Sequence, residues 1–183
     1  MKPASLLLLA ALATHAAAVP LCLSKLTMTE NSVILRAEAI VTKLFVDAGV
    51  RVEWLSDKHC KDMPVGALYL MLEGPGPPHF NPATLGYAQP YNYGTAVHIF
   101  YGRIQEDHPR DFAVVLGHVM AHEIAHVLQG VARHSQSGIM KPVWTHRDYG
   151  DMQLGQMRFD GEDVQLLHIG LKERAAGNFA ARF

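Results

Sequence analysis

The stretch HEIAHVLQGVARHSQSGIM, residues 122–140, dictates more about the fold and the chemistry of this chain than any other segment. It opens with the pattern H-E-x-x-H, in which His122 and His126 stand four residues apart. On a helix, this spacing places both imidazoles on one face, where they can bind one metal ion beside the carboxylate of Glu123. A catalytic zinc ion usually takes three protein ligands and keeps one position for water, so a third ligand is expected further along the chain.

The third ligand is predicted from the way the helix ends. The residues around the motif predict a helix from about Asp111 to Gln129, with Gly130 as its left-handed cap. Because glycine lacks a Cβ, the chain can turn back sharply there and return His134 to the metal. His118, one helical turn before His122, forms a competing i, i+4 pair. Four more residues remain open as the third ligand: Glu162, Asp163, His146 and Asp148.

Glu123 indicates a hydrolase rather than a purely structural metal site. A glutamate beside a metal-binding histidine suits a general base that takes a proton from a zinc-bound water and passes it to a leaving amine. The metal lowers the pKa of that water from about 15.7 to roughly 7, which makes it a nucleophile at neutral pH. We therefore expect hydrolysis with Glu123 as the general base and one Zn²⁺ ion as the cofactor.

Two other functions remain open at this point. One is a zinc-binding interaction domain without catalysis, although a structural zinc site needs no base and tends to have four ligands. The other is a zinc hydrolase that acts on a non-peptide amide or ester.

The remaining patterns predict a single α+β domain. Apolar residues at helical spacing predict a helix over Glu30–Ala48, and a last helix is expected from Asp160 or Gly161 to about Leu171. Residues 131–159 have few periodic runs and are expected to be mostly irregular. Strands are predicted over Val50–Leu55, Ala67–Leu72, Leu85–Ala88 and Ala96–Tyr101.

The first 18 residues are typical of a secretory signal peptide. Lys2 precedes an apolar run from Leu6 to Ala13, and Ala16 and Ala18 form a small-residue cleavage site. We expect residues 19–183 to form one mature domain that is secreted or periplasmic. No later apolar run suggests a membrane span, so we expect no stable membrane insertion.

The charge of the mature chain argues against some partners. Without Lys2, 15 basic and 17 acidic residues remain, a formal charge of −2, and no basic cluster stands out. This balance gives no support for binding to nucleic acid or to anionic membranes. We expect a monomer.

The chain contains two cysteines, Cys22 and Cys60. In an exported protein, an even pair favours a disulfide. Two different roles for Cys22 remain open: a lipid anchor, and a thiolate that caps the zinc ion in a latent form.

The segment HEIAHVLQGVARHSQSGIMKP, residues 122–142, resembles the metzincin clan of zinc endopeptidases, whose signature H-E-x-x-H-x-x-G-x-x-H is followed by a methionine turn. Ser135 and Pro142 are similar to residues of the matrixin-like branch of this clan, and Trp144 falls where that branch has an aromatic residue in the wall of its primed-side pocket. The roles implied by the resemblance are zinc ligands for His122, His126 and His134, the general base for Glu123, the turn glycine for Gly130, and an apolar floor beneath the metal for Met140.

The resemblance extends to the flanking segments. LGYAQP, residues 85–90, resembles the edge strand with which an extended substrate pairs. FDGEDVQLL, residues 159–167, resembles the C-terminal helix of matrixin-like sequences. The substrate-cleft residues implied are Leu85, Gly86, Tyr87, Ala88, Pro142, Val143 and Trp144.

The resemblance implies a metzincin-like zincin domain with a mixed twisted sheet, an active-site helix, a methionine turn and a C-terminal helix. It also implies a secreted endopeptidase that cleaves peptides or proteins. The chain departs from the signature, because three residues rather than two stand on each side of Gly130. His134 therefore comes two positions late, which suggests a divergent, bacterial-type family.

Overall fold

The computed structural model of the protein describes residues 18–24, 29–62, 64–89 and 95–177. The predicted signal peptide lies outside the described residues, apart from Ala18. The elements, in chain order, are β1 (Val19–Ser24), α1 (Asn31–Asp47), β2 (Val52–Trp54), α2 (Asp57–Lys61), β3 (Leu68–Leu72), β4 (Gly86–Ala88), β5 (Ala96–Ile99), α3 (Tyr101–Asp107), α4 (Phe112–Gln129), α5 (His146–Gln153) and α6 (Gly161–Ala175).

The described strands form one mixed sheet in the order β2-β1-β3-β5-β4. The first four of these strands run parallel to their neighbours, whereas β4 pairs antiparallel with β5 and forms one edge. Leu21, Leu68, Leu70, Val97 and Ile99 are fully buried in the core that the sheet shares with the helices. The predicted α+β fold with a mixed sheet is confirmed, and β4 is the edge strand that was expected from the sequence.

Helix α4 is the central helix of the domain and is held by helices on two sides. A Cβ at Gly117 would lie 2.9 Å from the Cβ of Ile40, so α1 and α4 pack in close contact. A Cβ at Gly170 would lie 1.9 Å from the carbonyl oxygen of Leu128, so α6 crosses the end of α4 at a position that only glycine can occupy. These contacts fix the orientation of the helix that carries the H-E-x-x-H motif.

Within the described part of the chain, α4 is the one helix long and apolar enough to cross a bilayer. The expectation that no apolar run after the signal peptide approaches the length of a membrane span was therefore wrong for α4. Most of its surface is buried inside the domain, as in the core helix of a globular protein.

Four elements were absent from the sequence prediction: β1, the short helix α2, α3 and α5. Strand β1 was missed because its burial arises from pairing with β2 and β3 on either side, which are distant in sequence. Helix α3 begins at Tyr101, where a strand was expected to end, and its buried side chains among YGRIQED are only Tyr101 and Ile104.

Helix α5, the last of these elements, lies in the segment expected to be irregular. It is started by a capping box, in which the Asp148 amide donates to the Thr145 hydroxyl and the Asp148 carboxylate accepts from the Thr145 amide. This T-x-x-D signature was readable in the sequence, but the helix has few apolar residues to reveal it by periodicity.

The two cysteines are joined. Cys22 of β1 and Cys60 of α2 form a disulfide with their Cα atoms 5.6 Å apart. The bridge fastens α2 to the central region of the sheet. In this arrangement neither sulfur is a thiolate near the histidines.

Candidate metal centre and active site

Three imidazoles converge where α4 ends. His122 and His126 lie on one face of the helix, and Gly130 ends the helix in the left-handed conformation with φ 68°. The chain then turns back and brings His134 to the other two rings, with centroids 5.3 Å from His122 and 4.9 Å from His126. The possible ligand atoms of the three residues all lie within 4.8 Å of one another. The longer turn therefore delivers His134 to the cluster despite its later position.

Backbone carbonyls fix the tautomers of the two helical histidines. The Nδ1 of His122 donates to the carbonyl of Ile139 at 2.8 Å, and the Nδ1 of His126 donates to the carbonyl of Val131 at 3.3 Å. Since a carbonyl can only accept, each Nδ1 carries the proton and each Nε2 presents a lone pair. This is the second contact that metal-binding histidines commonly make.

The histidine cluster fits a catalytic zinc ion. The Nε2 atoms of His122 and His126 are 3.0 Å apart, and two lone pairs at this distance suit a shared cation. Nitrogens bound tetrahedrally at 2.0–2.1 Å from zinc would be separated by roughly 3.4 Å, close to the observed spacing. Three nitrogen ligands also leave a fourth coordination position for water or substrate.

The cluster is neutral at physiological pH and ready to bind a cation. Burial, together with the nearby His126, lowers the pKa of His122 to about 3. Burial and the neighbouring His134 lower the pKa of His126 to about 4, and burial lowers that of His134. Because only neutral imidazole binds a metal, protons compete weakly at this site.

Glu123 lies beside the cluster and is only 7% exposed. Burial raises the pKa of its carboxyl to about 8. The edge strand covers it closely, because a Cβ at Gly86 would lie 3.1 Å from the Glu123 Cγ and 2.8 Å from the carbonyl oxygen of His98. A cation bound at the histidine cluster would favour the carboxylate form of Glu123.

The site opens into a cavity of about 510 Å³ that is lined by Glu123 and all three histidines. The cleft residues expected from the resemblance also line this cavity: Leu85, Gly86, Tyr87, Ala88, Pro142, Val143 and Trp144. The indole Nε1 of Trp144 donates to the Ile139 carbonyl at 3.3 Å, the same carbonyl that holds His122. The wall of the cavity and the metal cluster are thus fixed by a common backbone group.

Among the lining residues that escaped the sequence reasoning are Asp107, His108 and Tyr149. They come from the end of α3, the turn that follows it, and α5, two helices that were not predicted. No local signal connects them to residues 122–140, because only the tertiary fold brings these elements to the cavity.

Asp163, which the sequence left open as a ligand, holds the chain on both sides of His134 instead. Its side chain is fully buried. Its Oδ1 accepts from the Ser135 hydroxyl at 2.6 Å and from the Nη1 of Arg133 at 3.1 Å. Glu162 accepts from the other nitrogen, Nη2, of Arg133 at 2.8 Å. We call this arrangement of Arg133, Ser135 and Asp163 the His134 clamp.

The remaining candidates for a third ligand are engaged elsewhere. His118 is buried and its Nδ1 donates to the Val114 carbonyl of its own helix at 2.8 Å. His146 is the first residue of α5, and Asp148 caps that helix and pairs with Lys141. Among the described residues, the group able to hold a metal is the one formed by His122, His126 and His134.

Met140 closes the loop that follows His134. It is fully buried, and its carbonyl accepts from the Ser135 amide at 2.7 Å. This bond turns residues 135–140 back toward α4. The role of the Met140 side chain as a floor beneath the metal stays a prediction.

Two solved structures are similar to this chain in fold. One is archaemetzincin from Methanopyrus kandleri, with a TM-score of 0.51 and 17% identity, over 88% of this chain and 99% of that one. The other is a zinc-dependent peptidase from Methanocorpusculum labreanum, with a TM-score of 0.51 and 15% identity, over 81% of this chain and 98% of that one. At these identities the likeness shows a shared fold. Comparison with protein-family models and with curated proteins finds no match.

Proposed function

We propose that this protein is a secreted, zinc-dependent endopeptidase. The observation that carries the proposal is the convergence of His122, His126 and His134 on one point at a cavity, with Glu123 beside them. The two structural neighbours support it, since one is named an archaemetzincin and the other a zinc-dependent peptidase.

The three histidines would hold Zn²⁺ through nitrogen. When bound, zinc would lower the pKa of a coordinated water and polarise the scissile carbonyl. Glu123 accepts the proton from the attacking water and passes it to the departing amine. The carbonyls of Ile139 and Val131 keep His122 and His126 in the tautomer that binds metal.

The edge strand β4 provides a surface for an extended peptide. It pairs with β5, the described residues place no strand on its other side, and it borders the cavity beside Glu123. A substrate backbone could add to the free side of β4 by β-augmentation, which places its scissile bond over the histidine cluster. This arrangement favours a peptide over a small amide or ester.

Export forms part of the proposal. Its support is the signal-like sequence of residues 1–18 and the disulfide between Cys22 and Cys60, a bond that persists in oxidising compartments. Cleavage after Ala18 would leave β1 whole, because the strand begins at Val19. N-terminal sequencing of the protein recovered from the periplasm or medium tests this part, and an intact Met1 would contradict it.

The activity is tested with Glu123→Gln, which keeps the shape of the side chain and removes the base. We expect the variant to retain one zinc ion per chain, measured by metal analysis, and to lose cleavage of peptides whose two termini are blocked. A wild-type protein with full zinc that cleaves no peptide of a broad library would contradict the peptidase. Activity of the same protein toward esters or simple amides would then point to a non-peptide hydrolase.

A further inference from the structure

We propose that the cavity selects a lysine or arginine side chain next to the scissile bond, and that Asp107 is the residue that selects it. The inference rests on the proposed peptidase function and concerns the substrate of that same site. It starts from the part of the cavity wall that lies outside the metal cluster and the edge strand.

A row of aromatic rings leads from the metal cluster toward Asp107. The Trp144 ring lies 5.7 Å from that of His122, and the Tyr149 ring lies 6.3 Å from that of Trp144. The His108 ring is 4.6 Å from that of Tyr149, and His108 directly follows Asp107 in the chain. All of these residues line the one cavity. A substrate side chain that enters this part of the cavity therefore has aromatic surface beside it and the carboxylate of Asp107 at the far end of the row.

The charges of this wall leave Asp107 without a balancing cation. Lys141 also lines the cavity, but its ammonium is paired with the carboxylate of Asp148. Burial lowers the pKa of His108, so this ring is neutral at physiological pH and does not offset the carboxylate. Glu123 also lines the cavity, but its carboxyl belongs to the proposed reacting centre. Asp107 forms no ion pair among the described residues, and its charge acts on both His108 and Tyr149.

Lysine and arginine match the chemistry of this wall. Their aliphatic stems pack on apolar and aromatic surface while the charged end stays near water. A cation over the face of Tyr149 or Trp144 gains further attraction from the ring. Asp107 is exposed at its end of the row, which leaves the charged group hydrated as it meets the carboxylate. A glutamate would meet repulsion from the carboxylate instead.

The test compares matched peptides in the zinc-loaded, full-length protein. Blocked peptides carry lysine, norleucine or glutamate in turn at each position flanking the cleaved bond. Norleucine keeps the stem of lysine and removes its charge. We expect the lysine peptide to be cleaved with the highest kcat/KM at one of these positions, by about fivefold over norleucine, as for a hydrated ion pair. The preference should shrink as the ionic strength rises.

Asp107→Asn is expected to bring the lysine-to-norleucine ratio of kcat/KM close to one, through a loss of kcat/KM for the lysine peptide, with an unchanged Tm. Glu106→Gln is the matched control, because Glu106 is exposed on the same helix but does not line the cavity. Cleavage without a lysine preference would overturn the inference but not the proposed function. A lysine preference that survives Asp107→Asn would do the same. Failure to cleave any peptide would overturn the proposed function and the inference with it.

Discussion

Gly86 of the edge strand lies directly against Glu123 of the central helix. A Cβ at position 86 would come within 3.1 Å of the Glu123 Cγ and 2.8 Å of the carbonyl oxygen of His98. The strand on which a substrate would lie and the residue that would act as the base are therefore positioned by one close contact. A glycine in this strand is needed for that approach and not for its backbone conformation.

Gly86→Ala is expected to reduce the activity more than the stability. The added methyl cannot displace the backbone of β5, so β4 must move relative to Glu123. We expect a loss of kcat/KM of about 100-fold, the scale associated with a displacement near 1 Å, and a destabilisation of about 1–3 kcal/mol. The measurements are peptide cleavage and thermal unfolding.

Gly150→Ala is the control for this substitution, because a Cβ there meets nothing within 4 Å. It should leave the activity unchanged. Equal kcat/KM for Gly86→Ala and the wild type would show that the contact with Glu123 has no bearing on the reaction.

The His134 clamp should determine zinc affinity. Asp163→Ala removes the acceptor that holds Ser135 and Arg133 on the two sides of His134, so the third ligand loses its fixed position. We expect the zinc Kd to rise about 10- to 100-fold, as for other residues that orient metal ligands. Competition with a chromogenic chelator measures it.

Glu162→Gln serves as the matched variant for the clamp, since Glu162 pairs with the same Arg133 but its side chain is 65% exposed. It should change stability by less than about 0.5 kcal/mol and leave the zinc Kd as it is. A folded Asp163→Ala variant with wild-type zinc affinity would refute the clamp.

Glu123 should make the metal-free protein less stable as the pH rises. Its pKa is raised to about 8 from the ordinary value of 4.5, so between these values the folded protein binds a proton that the unfolded chain releases. Stability from this group is complete below pH 4.5 and is lost as the pH rises through 8. In Glu123→Gln this loss is absent, so its Tm relative to wild type should increase from about pH 5 to 8 in the presence of a chelator.

Zinc should reduce that pH-dependent difference, because a cation beside Glu123 favours its charged form. The buried histidines change the stability with pH in the opposite sense, because they make the fold less stable at low pH. Their lowered pKa values mean that the unfolded chain takes up protons below about pH 6.5 while the folded protein does not until about pH 4, so acidification destabilises wild type and variant alike. A constant Tm difference between the two proteins across this pH range would contradict the buried, protonated carboxyl.

Removal of the disulfide should destabilise the domain without removing the metal. Cys22 and Cys60 are separated by 38 residues, and a loop of this length corresponds to a loss of about 4 kcal/mol in the chain-entropy model. The double substitution Cys22→Ser, Cys60→Ser should therefore lower the Tm while zinc still binds. Dithiothreitol should lower the Tm of the wild type and leave that of the double variant unchanged, whereas two titratable thiols in the unreduced wild type would disprove the bond.

The sequence by itself determined the features that depend on neighbours in the chain. The i, i+4 spacing of His122 and His126 follows from helical geometry, and the end of the helix follows from Gly130. The apolar periodicity of α1, the strands β3 and β4, and the start of α6 near Asp160 were readable for the same reason. His134 was the preferred third ligand, but the length of the turn left this choice open.

Only the tertiary structure decided which distant residues meet. Strand β1 is a strand because β2 and β3 pair with it, and Asp163 is a clamp because α6 crosses the end of α4 at Gly170. Asp107 lines the cavity because α3 and α5 reach it. A buried carboxylate and an exposed one look alike in a sequence, since desolvation and charge pairing arise from contacts between elements and not from the order of residues along the chain.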